Sequence, residues 1–129
     1  MVVVGAGYPG KRPIYERMVE LDARLVIVEE VGHWSAQLVA DGVASDWLAV
    51  TVTGNADADA TAVLDALSGA AHDPDAVLTF WELSVPVVAR TAGPLARRAV
   101  CRRGGDRLPC GGQAGVRRVG DRHPPGRLL

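Results

Sequence analysis

Residues 2–13 read VVVGAGYPGKRP, and this stretch decides the fold class. Three β-branched residues that run into a glycine are typical of a short strand buried on both faces, as in parallel sheets. After the glycine-rich loop, Ile14, Met18 and Leu21 recur at spacings of four and three residues, which is the pattern of an amphipathic helix. The stretch therefore predicts a strand, a glycine loop and a helix in direct succession.

The same alternation of apolar runs and helical patterns continues to about residue 95. Strands are predicted near residues 2–5, 24–29, 47–52 and 76–81, and helices near residues 12–21, 33–40, 56–67 and 84–92. Strands that are regularly separated by helices indicate βαβ units, and right-handed crossovers then place helices on both faces of the sheet. The sequence therefore predicts an α/β domain, Rossmann-like, with a small open parallel sheet of about four strands.

The last third of the chain differs in composition from the first 95 residues. Residues 1–95 contain 13 acidic and 5 basic side chains, whereas residues 96–129 contain nine arginines, two aspartates and neither lysine nor glutamate. The net charge of −1 hides this asymmetry. We interpret residues 1–95 as one α/β domain, and residues 96–129 as an Arg/Gly/Pro-rich tail that is disordered or translated out of frame. The restricted set of residue types in the tail resembles GC-rich DNA read in the wrong frame.

We expect a cytoplasmic protein without a membrane partner. No apolar run reaches the roughly 18 residues of a membrane span, and no basic segment precedes Val2, so neither a span nor a signal peptide is predicted. Cys101 and Cys110 both lie in the tail and have no second pair. Neither a metal site nor a structural disulfide is therefore predicted.

Polar and aromatic clusters follow three of the predicted strands, at residues 5–12, 29–34 and 81–82. In open parallel sheets, ligands bind beyond the carboxyl ends of the strands, so we expect these clusters to share one site. No catalytic residue is predicted. The residues expected to face a substrate or nucleotide are Gly5, Gly7, Tyr8, Gly10, Lys11, Arg12, His33, Trp34, Trp81 and Glu82.

Residues 5–10 match the G-x-G-x-x-G pattern of dinucleotide-binding loops, and a glutamate about twenty residues on (29 or 30) stands where such proteins bind ribose. Pro13 argues against this interpretation, because a proline must lie in the first turn of a helix. The helix then starts at about Gly10 or later, and the glycines belong to a loop too long for the pyrophosphate cradle. The loop amides and the two cations that follow still suit an anion. An NAD(P)-binding Rossmann domain of an oxidoreductase is the alternative.

Three short motifs occur in order along the domain: GAGYPGKR at residues 5–12, GHW at residues 32–34 and LTFWE at residues 78–82, followed by VVAR at residues 87–90. Together they resemble the N-terminal domain of ATP-grasp carboxylate–amine ligases, in particular the carnosine-synthase-like group. The resemblance implies a pre-ATP-grasp domain packed against an ATP-binding core. It also implies an amino acid or dipeptide substrate, activated as an acyl phosphate with Mg-ATP before an amine attacks it.

The family's nucleotide-binding lysines and magnesium-binding acids would follow residue 95, where this chain contains neither Lys nor Glu. Phosphoryl transfer needs such groups to offset the developing charge. We therefore expect an inactive N-terminal fragment that does not bind ATP and Mg²⁺ productively, and whose partner is the missing ATP-grasp core. A further alternative is a non-catalytic α/β binding module with a basic, nucleic-acid-binding tail. We do not favour it, because the tail has no aromatic side chain to stack on bases.

We predict that the coding DNA downstream of codon 95 continues as an ATP-grasp core in another reading frame. The abrupt change in composition at that point is the reason. Sequencing the gene and its flanking DNA tests this. An intact upstream frame, with no sensible continuation in either alternative frame, would leave a genuine basic arm as the interpretation.

Overall fold

The computed structural model describes residues 1–103, which fold into a single four-stranded sheet flanked by helices. The strands are β1 (Val2–Val4), β2 (Val26–Glu30), β3 (Asp46–Val50) and β4 (Val77–Leu78). All paired strands are parallel, and they lie in the order β3-β2-β1-β4. The predicted α/β class with a small open parallel sheet is confirmed.

Four α-helices connect or follow the strands: α1 (Arg12–Glu20), α2 (Gln37–Ala40), α3 (Ala56–Gly69) and α4 (Val85–Arg103). Short 3-10 turns at Pro9–Lys11, Trp34–Ala36 and Glu82–Ser84 lead into α1, α2 and α4. None of the helices within residues 1–103 combines the length and the apolar character needed to cross a membrane.

Alternate side chains of the two central strands, β1 and β2, pack into two separate hydrophobic cores. Val2 and Val28 pack with α3 and α4 on one face, whereas Val3 and Ile27 pack with α1 and α2 on the other. β1 is buried along its whole length, because it is paired on both edges and covered on both faces. This explains the continuous apolar runs in the sequence, since a strand buried on both faces has no polar side.

Helix α1 begins at Arg12. This confirms the prediction that Pro13 makes the helix start at about Gly10 or later. Pro13 occupies the second position of the helix, where its missing N–H group has no partner to lose. Before it, the 3-10 turn is closed by the Lys11 N–H group, which donates to the Tyr8 carbonyl.

Helix α4 is longer than predicted and runs through residue 95 to Arg103. Leu95 is buried in the core, and Arg98 donates to the Ser68 hydroxyl over 3.0 Å, so the first residues of the predicted tail belong to the fold. Cys101 is disulfide-bonded, and the sequence analysis was wrong not to predict this disulfide. The division at residue 95 stays a prediction, because most of the proposed tail, residues 104–129, lies outside the described residues.

We predict that Gly5→Ala destabilises the domain more than Gly32→Ala does. Both glycines have positive φ angles, +75° and +86°, which cost an L-residue roughly 1–2 kcal/mol. An added Cβ at Gly5 would lie 2.2 Å from the Ser84 hydroxyl, whereas at Gly32 it would meet nothing within 4 Å. Overpacking lowers the free energy of unfolding by about a further 1–3 kcal/mol. Urea unfolding should therefore show this extra loss of stability in Gly5→Ala. Equal losses would contradict the packing argument.

Candidate functional site

A cavity of about 650 Å³ opens at the carboxyl end of the sheet. Its floor is formed by the ends of β1 and β2, and its walls are the segments that follow all four strands. It lies where the strand order reverses between β1 and β4, which is the usual ligand position in open α/β sheets. Its volume is within the range of small-molecule sites. The cavity is therefore the candidate site.

Most of the residues predicted to face a ligand line this cavity, although they come from distant parts of the sequence. Those that line it are Gly5, Gly7, Tyr8, His33, Trp34 and Trp81, whereas Gly10, Lys11, Arg12 and Glu82 are not among the lining residues.

Three side chains hold the glycine loop after β1 in place. The Ala6 N–H group donates to Glu29 Oε1 over 2.7 Å, and the buried Tyr15 hydroxyl donates to the Ala6 carbonyl over 2.7 Å. The Trp34 indole donates to the Gly7 carbonyl, also over 2.7 Å. Burial raises the pKa of Tyr15, so its phenol stays protonated and remains a donor. The loop is thus fixed by side chains from α1, the end of β2 and the segment after it.

Both oxygens of the Glu29 carboxylate accept a hydrogen bond from the backbone. One oxygen accepts the Ala6 N–H group, and the other accepts the Glu30 N–H group over 3.1 Å. The His33 Nε2 atom lies 3.7 Å from the first oxygen. These bonds tie the carboxylate to the loop and to its own strand end, which makes it a poorer partner for a ribose hydroxyl than a carboxylate without such bonds. Its charge also lies against the loop amide to which a pyrophosphate would bind.

The two cations after the glycine loop are bound within the protein. The Lys11 ammonium donates to the Phe80 carbonyl and lies 5.3 Å from the centre of the Tyr8 ring. The Arg12 guanidinium pairs with Glu16 over 2.7 Å and with Asp41 over 2.6 Å. Both cations therefore serve the fold, and neither faces the cavity as an anion-binding group.

His33 is held by a short, partly buried chain of hydrogen bonds. The Trp47 indole donates to the Ser35 hydroxyl over 3.1 Å, and this hydroxyl lies 2.8 Å from His33 Nδ1. The Ser35 N–H group also donates to Nδ1, over 3.3 Å. Because Nδ1 accepts, the proton of a neutral imidazole is on Nε2, which is the nitrogen near Glu29.

Asp59 lines the cavity, and the sequence analysis missed it. It is 5% exposed and accepts the Thr53 N–H group (2.8 Å), the Thr53 hydroxyl (2.7 Å) and the Gly54 N–H group (3.1 Å). These bonds, with the Thr53 hydroxyl first, lower the pKa of Asp59. The available signal was the Thr-Gly-Asn turn before α3, whose N–H groups need an acceptor that a nearby acid can supply.

The cavity is apolar in its walls and acidic in its charges. Glu29, Glu30, Asp59 and His33 line it, and neither a lysine nor an arginine does. Among these carboxylates, only the exposed Glu30 side chain accepts no hydrogen bond from the described residues. Within residues 1–103, no group of three His, Cys, Asp or Glu side chains is arranged to hold a metal ion.

Comparisons with protein-family models, with curated proteins and with solved structures each gave no match. Function has therefore to be inferred from the chemistry of the cavity and from the motifs that line it.

We predict that Asp59→Asn weakens the domain at neutral pH and flattens its loss of stability in acid. The folded pKa of Asp59 is lowered, so its stabilising contribution is complete above the unfolded pKa of about 3.9. That contribution is lost as the pH falls through the lower folded pKa. Urea unfolding should show a loss of about 1–3 kcal/mol at pH 7, together with a shallower decline below about pH 4.

Asp65→Asn is the matched control, because Asp65 is an exposed carboxylate in the same helix. It should unfold like the unmodified protein at every pH. If the free energy of unfolding of Asp59→Asn falls in acid as steeply as that of the unmodified protein, the hydrogen bonds from the β3–α3 loop to Asp59 do not contribute to stability as described.

Proposed function

We propose that residues 1–95 form the substrate-facing domain of an ATP-dependent carboxylate–amine ligase of the ATP-grasp type. One observation carries the proposal: the motifs at residues 5–12, 32–34 and 78–82, on which the resemblance rests, all contribute residues to one cavity. In such a ligase, ATP and Mg²⁺ are bound by a partner core module outside the described residues.

The cavity chemistry supports a substrate role rather than a phosphoryl-transfer role. Transfer of a phosphoryl group needs cations around the phosphate oxygens, and this cavity is lined by three carboxylates without a lysine or arginine. Apolar walls instead suit the body of a small organic substrate. The domain would hold one reactant beside the site of acyl-phosphate formation, where fixed proximity lowers the barrier to attack. We therefore expect residues 1–95 to be inactive without the core.

A dinucleotide-binding domain is the second candidate, because the strand order β3-β2-β1-β4 also occurs in dinucleotide-binding Rossmann folds. The bond from the Ala6 N–H group to Glu29 weighs against it, since this carboxylate would repel a pyrophosphate at the loop. The start of α1 at Arg12 also leaves the helix N-terminus well beyond the first two glycines.

We predict that the 129-residue chain binds neither NAD nor ATP with a dissociation constant below about 1 mM, because the cavity lining carries no counter-charge for phosphates. Isothermal titration calorimetry measures this directly. Micromolar NAD binding would favour the oxidoreductase domain and overturn the ligase proposal.

We further predict ligase activity when the chain is expressed with the reading frame restored downstream of residue 95. The assay is ADP release that depends on an added amino acid, and the 129-residue chain is the control without activity. Failure of every amino acid and dipeptide to stimulate ADP release from a folded, restored protein would contradict the ligase proposal.

A further inference from the structure

We propose that the cavity binds the amine reactant as a single primary ammonium on an apolar body, with Glu30 as the charge partner. This inference rests on the proposed function and names the substrate class of the same site. It assigns the ammonium contact to Glu30 and the contact with the apolar body to the exposed walls at Trp81 and Leu83.

The positive charge of the proposed ligand follows from the charges of the side chains that line the cavity. A carboxylate or phosphate in the cavity would lie among Glu29, Glu30 and Asp59 and would find no lysine or arginine in the lining. The two cations that follow the glycine loop, Lys11 and Arg12, are engaged by the Phe80 carbonyl and by acidic side chains. Removing an anion from water without a counter-charge is costly, whereas an ammonium meets complementary charge there.

The choice of Glu30 follows from the hydrogen bonds of the other two carboxylates. Glu29 accepts two backbone N–H groups and lies near His33, and Asp59 accepts three hydrogen bonds from the β3–α3 loop. Glu30 ends β2 at the cavity, and its exposed carboxylate accepts no hydrogen bond from the described residues. An ammonium has three donors and no acceptor, so an open carboxylate is the partner it requires.

The number of positive charges on the ligand follows from the same comparison of the hydrogen bonds that the three carboxylates accept. Glu30 is the one lining carboxylate that accepts no hydrogen bond from the described residues, so the cavity offers one fully open partner for an ammonium. The further charges of a polyamine would have to compete with the hydrogen bonds that Glu29 and Asp59 already accept. The carboxylate of a free amino acid would have to stay at the mouth of the cavity, away from Glu29 and Asp59. A primary amine on an apolar body is therefore the class that fits best.

The apolar body is inferred from side chains that are left exposed around the cavity. Leu83 is 77% exposed, Val52 is 50% exposed and Trp81 is 39% exposed, and all three line the cavity. Removing such apolar surface from water on binding stabilises a complex. An indole face near a cation adds a favourable electrostatic contact. Together these surfaces fit a ligand that carries an aromatic or branched aliphatic group.

The test compares three ligands with nearly the same body: 2-phenylethylammonium, 2-phenylethanol and 3-phenylpropionate. Each is titrated into the 129-residue chain and followed by calorimetry and by amide chemical shifts. We expect the ammonium to bind at least tenfold more tightly than the carboxylate, with the alcohol between them. Added salt should reduce this difference, because Glu30 is exposed to solvent.

Variants then test the role of Glu30. Glu30→Gln should weaken binding of the ammonium about tenfold and leave the alcohol within twofold, and Glu30→Lys should make 3-phenylpropionate the preferred ligand. The matched control is Glu20→Gln, which removes an exposed carboxylate at the far end of α1. This control should bind all three ligands like the unmodified chain. Thermal unfolding of each variant verifies that the fold is retained.

The inference is overturned if 3-phenylpropionate binds as tightly as the ammonium, if Glu30→Gln behaves like Glu20→Gln, or if none of the ligands binds. The ligase proposal has its own readout, which is amino-acid-dependent ADP release from the restored chain. Ammonium binding through Glu30 without any such ADP release would support the cavity assignment and contradict the ligase. ADP release from a restored chain in which Glu30 has no effect on ammonium binding would support the ligase and contradict the assignment of the cavity.

Discussion

The hydrogen bond from the Ala6 N–H group to the Glu29 carboxylate is the contact on which the site depends. It joins the loop after β1 to the end of β2 and places a fixed negative charge beside the loop amide. The same carboxylate lies near the imidazole of His33, which begins the 3-10 turn before α2. This one hydrogen bond therefore both fixes the shape of the glycine loop and places a negative charge beside it.

The rest of the loop is fixed by side chains from other elements, so contacts within the protein set the shape of the cavity. Tyr15 holds the Ala6 carbonyl from α1, Trp34 holds the Gly7 carbonyl, and the Thr79 hydroxyl lies 3.3 Å from the Gly5 carbonyl. A loop held by so many side chains loses little conformational freedom on binding, which favours affinity. It also has little freedom to reshape itself around a pyrophosphate.

The central position of β1 explains why these contacts can form. β1 pairs with β2 on one side and β4 on the other, and all three strands end at the same edge of the sheet. Segments that are far apart in the chain are thereby brought within hydrogen-bond distance. The two cores on opposite faces support this arrangement, because each draws on alternate residues of the same strands.

Much of the fold could be predicted from the sequence, because the signals for it are local. Apolar runs marked the strands, and Pro13 set the start of α1, since a proline ring restricts only its own turn. The β4 strand was predicted too long, as residues 79–81 leave the sheet after Leu78. Helix α4 was predicted too short, and packing of Leu95 against the core shows why it continues.

The sequence by itself determined the order of the strands and helices along the chain, because periodicity and turn chemistry act over a few residues. Only the tertiary structure decided the charge of the site. Lys11 is engaged by a carbonyl 69 residues away, and Glu29 by an amide 23 residues away. Which charges stay available for a ligand depends on such distant partners, and no local pattern encodes them.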